Sequence, residues 1–265
     1  MISPFERLDK ILNDKISGST EILIKLNKLL KGKSGDKKFL TAALTKSKKK
    51  LSHFAAVMDY IDTVAELSVS KDPDALISYL KNLEINLKDR YNRLFDNAKS
   101  YLNNINTVLT VSNSGTMQKF FDTWEEQNPK LRVIICESRP KLEGRIFAKA
   151  LLKKKIKVEL ITDSSAALYM PETDAVIVGA DAVLKNGNIV NKIGSKTLAV
   201  LCRYYEKPFY AVALGNKYLK KKTFNSSEEN PDEIWNYKDD NLRIKNIYFE
   251  IVERDLITAI ISDKT

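Results

Sequence analysis

Apolar side chains recur at helical spacing through the first hundred residues, and the pattern then changes to short β-branched runs. Ile22, Leu23, Leu26, Leu29 and Leu30 fall on one helical face, as do Phe54, Val57, Met58, Ile61, Val64 and Ala65. Asp72 and Pro73 read as an N-cap followed by proline at the first helical position. The helix they open carries Leu76, Leu80, Leu83, Leu87, Tyr91 and Leu94 as one stripe. Such stripes predict a packed core, not a cofactor box. From about residue 106 the spacing predicts strands over 107–111, 133–136, 158–161, 175–178, 208–213, 247–252 and 257–261. Helices are predicted over 115–127, 142–155 and 195–206. Strands alternating with helices imply βαβ units and a mainly parallel sheet, so the fold class is α/β. The run Val133-Ile134-Ile135-Cys136 fits a strand covered on both faces. The chain thus divides into a helical domain over 1–105 and an α/β domain over 106–265. Residues 217–240 are too long and polar for an ordinary connection, so they are expected to be functional or partly mobile.

Composition narrows the classes. The 265 residues hold 44 Lys and Arg against 34 Asp and Glu, a net +10. Ten of the Lys lie between Lys25 and Lys50 with a single acid, Asp36, a local +9 that leaves +1 for the rest. The basic character therefore belongs to one segment, away from the strand-end loops. It reads as a solvated helical face or as a docking face for an acidic partner. Only Phe39 interleaves the run, so base stacking has little to work with and nucleic acid is not expected. Two Cys exclude a disulfide scaffold and suit a reducing compartment. One His and two Cys exclude a His/Cys zinc site within one chain, and no cofactor is expected. No apolar run approaches the roughly 20 residues that span a bilayer. Residues 1–7 lack a signal-peptide core. A soluble, cytoplasmic protein is expected.

In an open parallel sheet, ligands bind beyond the carboxyl ends of the strands. After the first strand comes Ser112-Asn113-Ser114-Gly115-Thr116, hydroxyls and a glycine at a helix start, which can cradle an anion or simply cap the helix. After the second comes Glu137-Ser138-Arg139-Pro140, then Glu143-Gly144-Arg145. Arg139 and Arg145 could grip a phosphate or form an internal ion-pair network. Gly179-Ala180-Asp181 puts a carboxylate at a strand end, where it could move a proton or merely shape a turn. Asn191-Lys192-Ile193-Gly194-Ser195 fails the nucleotide-binding phosphate-loop pattern, although Lys192 and the next helix start can still hold an anion. Cys136, inside a buried strand, and Cys202, inside a helix, read as inert. The single His, His53, lies in the helical half, so no Ser/His/Asp triad is seen.

Together, these loops resemble the initiation factor 2B regulatory subunit family, which also contains methylthioribose-1-phosphate isomerase and archaeal ribose-1,5-bisphosphate isomerase. The matching residues are Glu137-Ser138-Arg139-Pro140 with Gly144-Arg145, then Leu160-Ile161-Thr162-Asp163-Ser164. Val178-Gly179-Ala180-Asp181, Asn186-Gly187 and Asn191-Lys192-Ile193-Gly194 follow in order. The resemblance implies a helical domain followed by a Rossmann-like domain, and dimerisation through the C-terminal domain. It implies that the isomerases of this family pair a Cys after the first strand with the Asp of the Gly-Ala-Asp motif. Here the Asp is Asp181 and the Cys position is Ser112, a far weaker acid. It also implies a phosphate-gripping Arg-Gly-Ala element, and the aligned Ile16-Ser17-Gly18-Ser19-Thr20-Glu21-Ile22 lacks the Arg. Asn191, Lys192 and Lys217 match substrate-contacting positions. The resemblance points first to a regulatory protein that binds the α subunit of initiation factor 2 and a sugar phosphate or nucleotide. The alternative is an aldose–ketose isomerase using Asp181 and Ser112. In either case Asn113, Ser114, Gly115, Arg139, Arg145, Asn191, Lys192 and Lys217 are the candidate ligand contacts.

Overall fold

A computed structural model describes residues 2–14, 17–52 and 54–264. Ile16 and His53, both singled out from the sequence, lie outside the described residues. The chain opens with α1 (Pro4–Leu12), α2 (Ser19–Lys31), α3 (Lys37–Lys50), α4 (Ala55–Ser68) and α5 (Pro73–Leu102). Asp72 caps α5 as its sequence predicts, its side chain accepting from the Asp74 and Ala75 amides at 3.0 and 3.3 Å.

The second half alternates. The strands β1 (Thr107–Val111), β2 (Arg132–Cys136), β3 (Lys157–Ile161) and β4 (Ala175–Gly179) are separated by α6 (Gly115–Glu125), α7 (Glu143–Leu152) and α8 (Ala166–Tyr169). Then come β5 (Ala182–Val183), β6 (Ile189–Lys192), α9 (Ser195–Tyr204), β7 (Phe209–Ala213), β8 (Phe249–Val252) and β9 (Ala259–Ser262). Six strands form one sheet in the order β3-β2-β1-β4-β7-β9, and each adjacent pair runs parallel. This is the doubly wound arrangement, in which the chain reverses its progress across the sheet between β1 and β4. A second, antiparallel sheet has the order β5-β6-β8. The β-branched run at 247–252 therefore contributes to a small antiparallel sheet, and only from Phe249. Strand β6 was not predicted, because half of Ile-Val-Asn-Lys is polar; it takes the segment holding Asn191 and Lys192 out of a loop.

Burial follows the strand period. Val133 and Ile135 face a core built with the N-terminal helices, while Ile134 and Cys136 face a second core built with α9. The first core is continuous from Leu8, Leu26, Val57 and Leu80 through Phe120 and Phe147 to Ile177 and Val212. The helical half is thus packed into the same apolar mass as one face of the sheet. Each such fully buried side chain stabilises by about 1.5–3 kcal/mol. Among the described residues no helix is long and apolar enough to cross a membrane.

Candidate ligand cleft

The β1/β4 switch point carries the chemistry. Just past β1, Ser112 sits at φ 70°, a left-handed conformation rare for a residue with a side chain. Its amide donates to Ser138 Oγ at 2.7 Å, and that hydroxyl donates to the Cys136 carbonyl at 2.9 Å. Ser138 is itself at φ 66°, and Asp163 accepts from the Ser138 and Arg139 amides, both at 2.7 Å. The turns after β1, β2 and β3 are therefore tied to one another by buried polar contacts. Ser114 caps α6, accepting from the Met117 amide at 3.1 Å. Asn113 accepts from Gln118 Nε2 at 2.7 Å.

Past β4, Asp181 stands with its Oδ1 4.0 Å from Lys217 Nζ. The Lys217 side chain is 2% exposed and that of Asp181 20%. Burial pushes the Lys217 ammonium below its usual range, and the Asp181 carboxylate opposes that fall. On β6, Asn191 Nδ2 donates to Ser195 Oγ at 2.8 Å, and that hydroxyl donates to the Lys192 carbonyl at 2.7 Å. Lys192 Nζ lies 2.5 Å from Glu143 Oε1 and 4.3 Å from the centre of the Tyr248 ring. Glu143 opens α7, and Gly144 behind it lets the helix abut β2: a Cβ there would lie 1.9 Å from the Cys136 carbonyl oxygen. No substitution fits that contact.

These side chains surround a cavity of about 280 Å³. Ser112, Asn113, Ser114, Asp181 and Lys192 line it. Gly115 and Asn191 adjoin lining residues, and Lys217 reaches it through Asp181. Arg139 and Arg145 do not line it. Arg145 pairs with Glu137 at 2.7 Å, and Arg139 Nη2 donates to the Ile234 carbonyl at 3.4 Å. Burial pushes the Cys136 thiol up to about 12, so it stays protonated at neutral pH.

The motifs did not point to the rest of the lining. The helical half supplies Leu12, Lys50, Leu51 and Phe54, and the segment before β8 supplies Phe224, Asn225, Ser227 and Glu229. No local motif marks them, because they come together only through the tertiary fold. Lys50 brings one end of the basic segment onto the cleft, so that segment is not wholly remote from it. Other lysines there meet acids: Lys25 with Asp14 and Glu21 at 2.9 Å each, Lys48 with Asp62 at 2.8 Å. His53 falls between Leu51 and Phe54, which both line the cleft.

The segment from Tyr218 to Ile247 is fastened at both ends. The Leu219 amide donates to the Val183 carbonyl at 2.8 Å and the Glu229 amide to the Asn246 carbonyl at 2.8 Å. Glu233 accepts from Tyr248 Oη and, at 3.1 Å, from Asn246 Nδ2; Lys141 Nζ lies 2.5 Å away. Partial burial works against its ionised form, but these donors prevail and hold the Glu233 carboxyl below its usual range. Among the described residues no cluster of three or more His, Cys, Asp or Glu could hold a metal.

A doubly wound sheet with a polar cleft at its switch point and helices closing one side defines a class, and the sequence family agrees with it. A model of the initiation factor 2 subunit family matches residues 33–264, and the chain belongs to that family. It is 36% identical over 156 residues to the putative translation initiation factor eIF-2B subunit 2-like protein of Pyrococcus furiosus, covering 59% of this chain and 55% of that one. It is 31% identical over 166 residues to the ribose 1,5-bisphosphate isomerase of Archaeoglobus fulgidus, covering 59% and 52%. The chain thus matches over about half the length of these relatives. The solved 5-methylthioribose 1-phosphate isomerase of Pyrococcus horikoshii shares the fold at TM-score 0.83 and 22% identity, covering 99% of this chain and 83% of that one.

Proposed function

We propose that this chain is an initiation factor 2B-like regulatory protein whose cleft holds a phosphorylated sugar or nucleotide and whose body binds a protein partner, the α subunit of initiation factor 2. The observation that carries this reading is the alcohol of Ser112 at the end of β1, where the resemblance puts a thiol in the isomerases. An alcohol is too weak an acid to exchange a proton readily at neutral pH. The pairing of Lys192 with Glu143 and of Arg145 with Glu137 adds support, because those cations already have counter-charges. The exposed Val200 and Tyr204 on α9 support self-association through the C-terminal half, 50% and 80% exposed as they are.

A second reading, an aldose–ketose isomerase, draws on Asp181. This carboxylate is at the end of β4, partly shielded, on the cavity wall and beside a buried cation, as a proton-transfer group should be. One experiment separates the two. The purified chain is titrated calorimetrically with initiation factor 2 α subunit, and incubated with ribose 1,5-bisphosphate and methylthioribose 1-phosphate under NMR. Partner binding without turnover is the expected result. Turnover that Asp181→Asn abolishes would establish the isomerase instead, and no partner binding at micromolar concentration would sink the regulatory reading.

A further inference from the structure

The cleft has two chemically different ends. One is polar: Ser112, Asn113, Ser114, Asp181 and the Glu143–Lys192 pair. The other is an apolar wall of Leu12, Leu51 and Phe54 from the helical half, faced by Phe224 and Phe249. Phe224 and Phe249 are backed by a small apolar cluster of Ala55, Ala182, Leu184 and Val190, which fixes them as wall. A ligand that fills both ends must carry an apolar group on one side.

Charge bears on the same choice. Among the described residues the lining holds the acids Asp14, Glu143, Asp181 and Glu229 against the cations Lys50 and Lys192. Lys192 is held by Glu143, and Lys217 behind the wall answers Asp181. A phosphate monoester carries about −1.5 to −2 charges at neutral pH. One such group has a place where the starts of α2 and α6 meet: a Cβ on Gly18 would lie 3.6 Å from Ser114 Cα, both residues line the cavity, and Lys50 lines it too. A second phosphate at the far end would meet phenyl rings and Glu229.

Resting on the reading of this cleft as a sugar-phosphate site, we propose that it takes a pentose bearing one phosphate and an apolar substituent at the opposite end, and disfavours a pentose bearing two phosphates. The apolar wall excludes water around the substituent, and the acids of the lining repel the second anion.

The test is calorimetric titration of the full chain with methylthioribose 1-phosphate and with ribose 1,5-bisphosphate at matched ionic strength. The monophosphate is expected to bind at least about tenfold more tightly, the scale on which an apolar pocket discriminates a small group. Phe224→Ser should reduce the preference to under about threefold by weakening the monophosphate alone, while Phe224→Leu retains it. Glu229→Lys, which leaves the apolar wall intact, should shift the ratio toward the bisphosphate and carries the test where Phe224→Ser fails to fold. Equal or tighter binding of the bisphosphate by the natural chain overturns the proposal and leaves the sugar-phosphate reading standing. Binding of neither compound removes that reading, and the proposal with it.

Discussion

Asp181 and Lys217 form an unequal pair. The ammonium is almost wholly buried, whereas the carboxylate keeps a fifth of its surface on the cleft. Removing the acid strands the cation, so Asp181→Asn should cost about 2–3 kcal/mol in urea unfolding. Lys217→Met replaces the cation with an apolar chain of similar length and leaves the acid wet, and should cost under about 1 kcal/mol. The pH dependence has a definite sign. Folded Lys217 releases its proton below 10.5, where the unfolded chain still holds one, so the unfolded state binds more protons across that window. Stability contributed by this group therefore rises with pH up to about the unfolded value. Urea midpoints near about pH 7.5 and about pH 9.5 should show the natural chain gaining on Lys217→Met. Parallel midpoints for the two proteins would remove Lys217 as the cause.

Among elements, the turns at the carboxyl ends of β1, β2 and β3 behave as one polar unit with Asp163 as its anchor. Asp163→Ala loses two charge-assisted bonds to backbone amides and should cost about 3 kcal/mol, while Asp163→Asn, which keeps one acceptor, should cost roughly half as much. Thermal unfolding followed by circular dichroism measures both, and equal losses would show that the two-acceptor geometry does not matter. Elements of this kind were legible in the sequence where hydrophobic period speaks plainly. Thr107–Val111 matches its predicted bounds, because five strand-forming residues are flanked by Asn106 and Ser112-Asn113. Strand β5 has two residues and β6 is half polar, so neither carries a period. The antiparallel sense of β8 depends on its partner β6 and not on its own residues. In the cleft, Ser112, Asp181 and Lys192 could be found because strand ends are where such sheets bind ligands. Phe54 and Phe224 could not, since one belongs with a helical stripe and the other sits in a polar stretch, and only folding sets them opposite each other.

At the scale of the whole molecule, one apolar core runs from the N-terminal helices to one face of the sheet, and a polar tie reinforces it. Asp263, just past β9, accepts from Arg90 Nε on α5 at 2.6 Å and from the Gly215 amide at 2.5 Å. Its side chain is 5% exposed. The halves should therefore unfold together: the fluorescence of buried Trp124 and the far-ultraviolet dichroism should trace one urea transition. Asp263→Ala should lower its midpoint, costing about 2–3 kcal/mol. Two separated transitions in the natural chain would contradict the shared core. The fastened segment between Tyr218 and Ile247 has a different bearing. The polar end of the cleft is cast from the turns of a rigid sheet, whereas Phe224 and Glu229 hang on a segment secured at its two margins. Ligand preference can then drift through exchanges in that one stretch while the sheet stays untouched. In engineering terms, it is an interchangeable part on a fixed chassis.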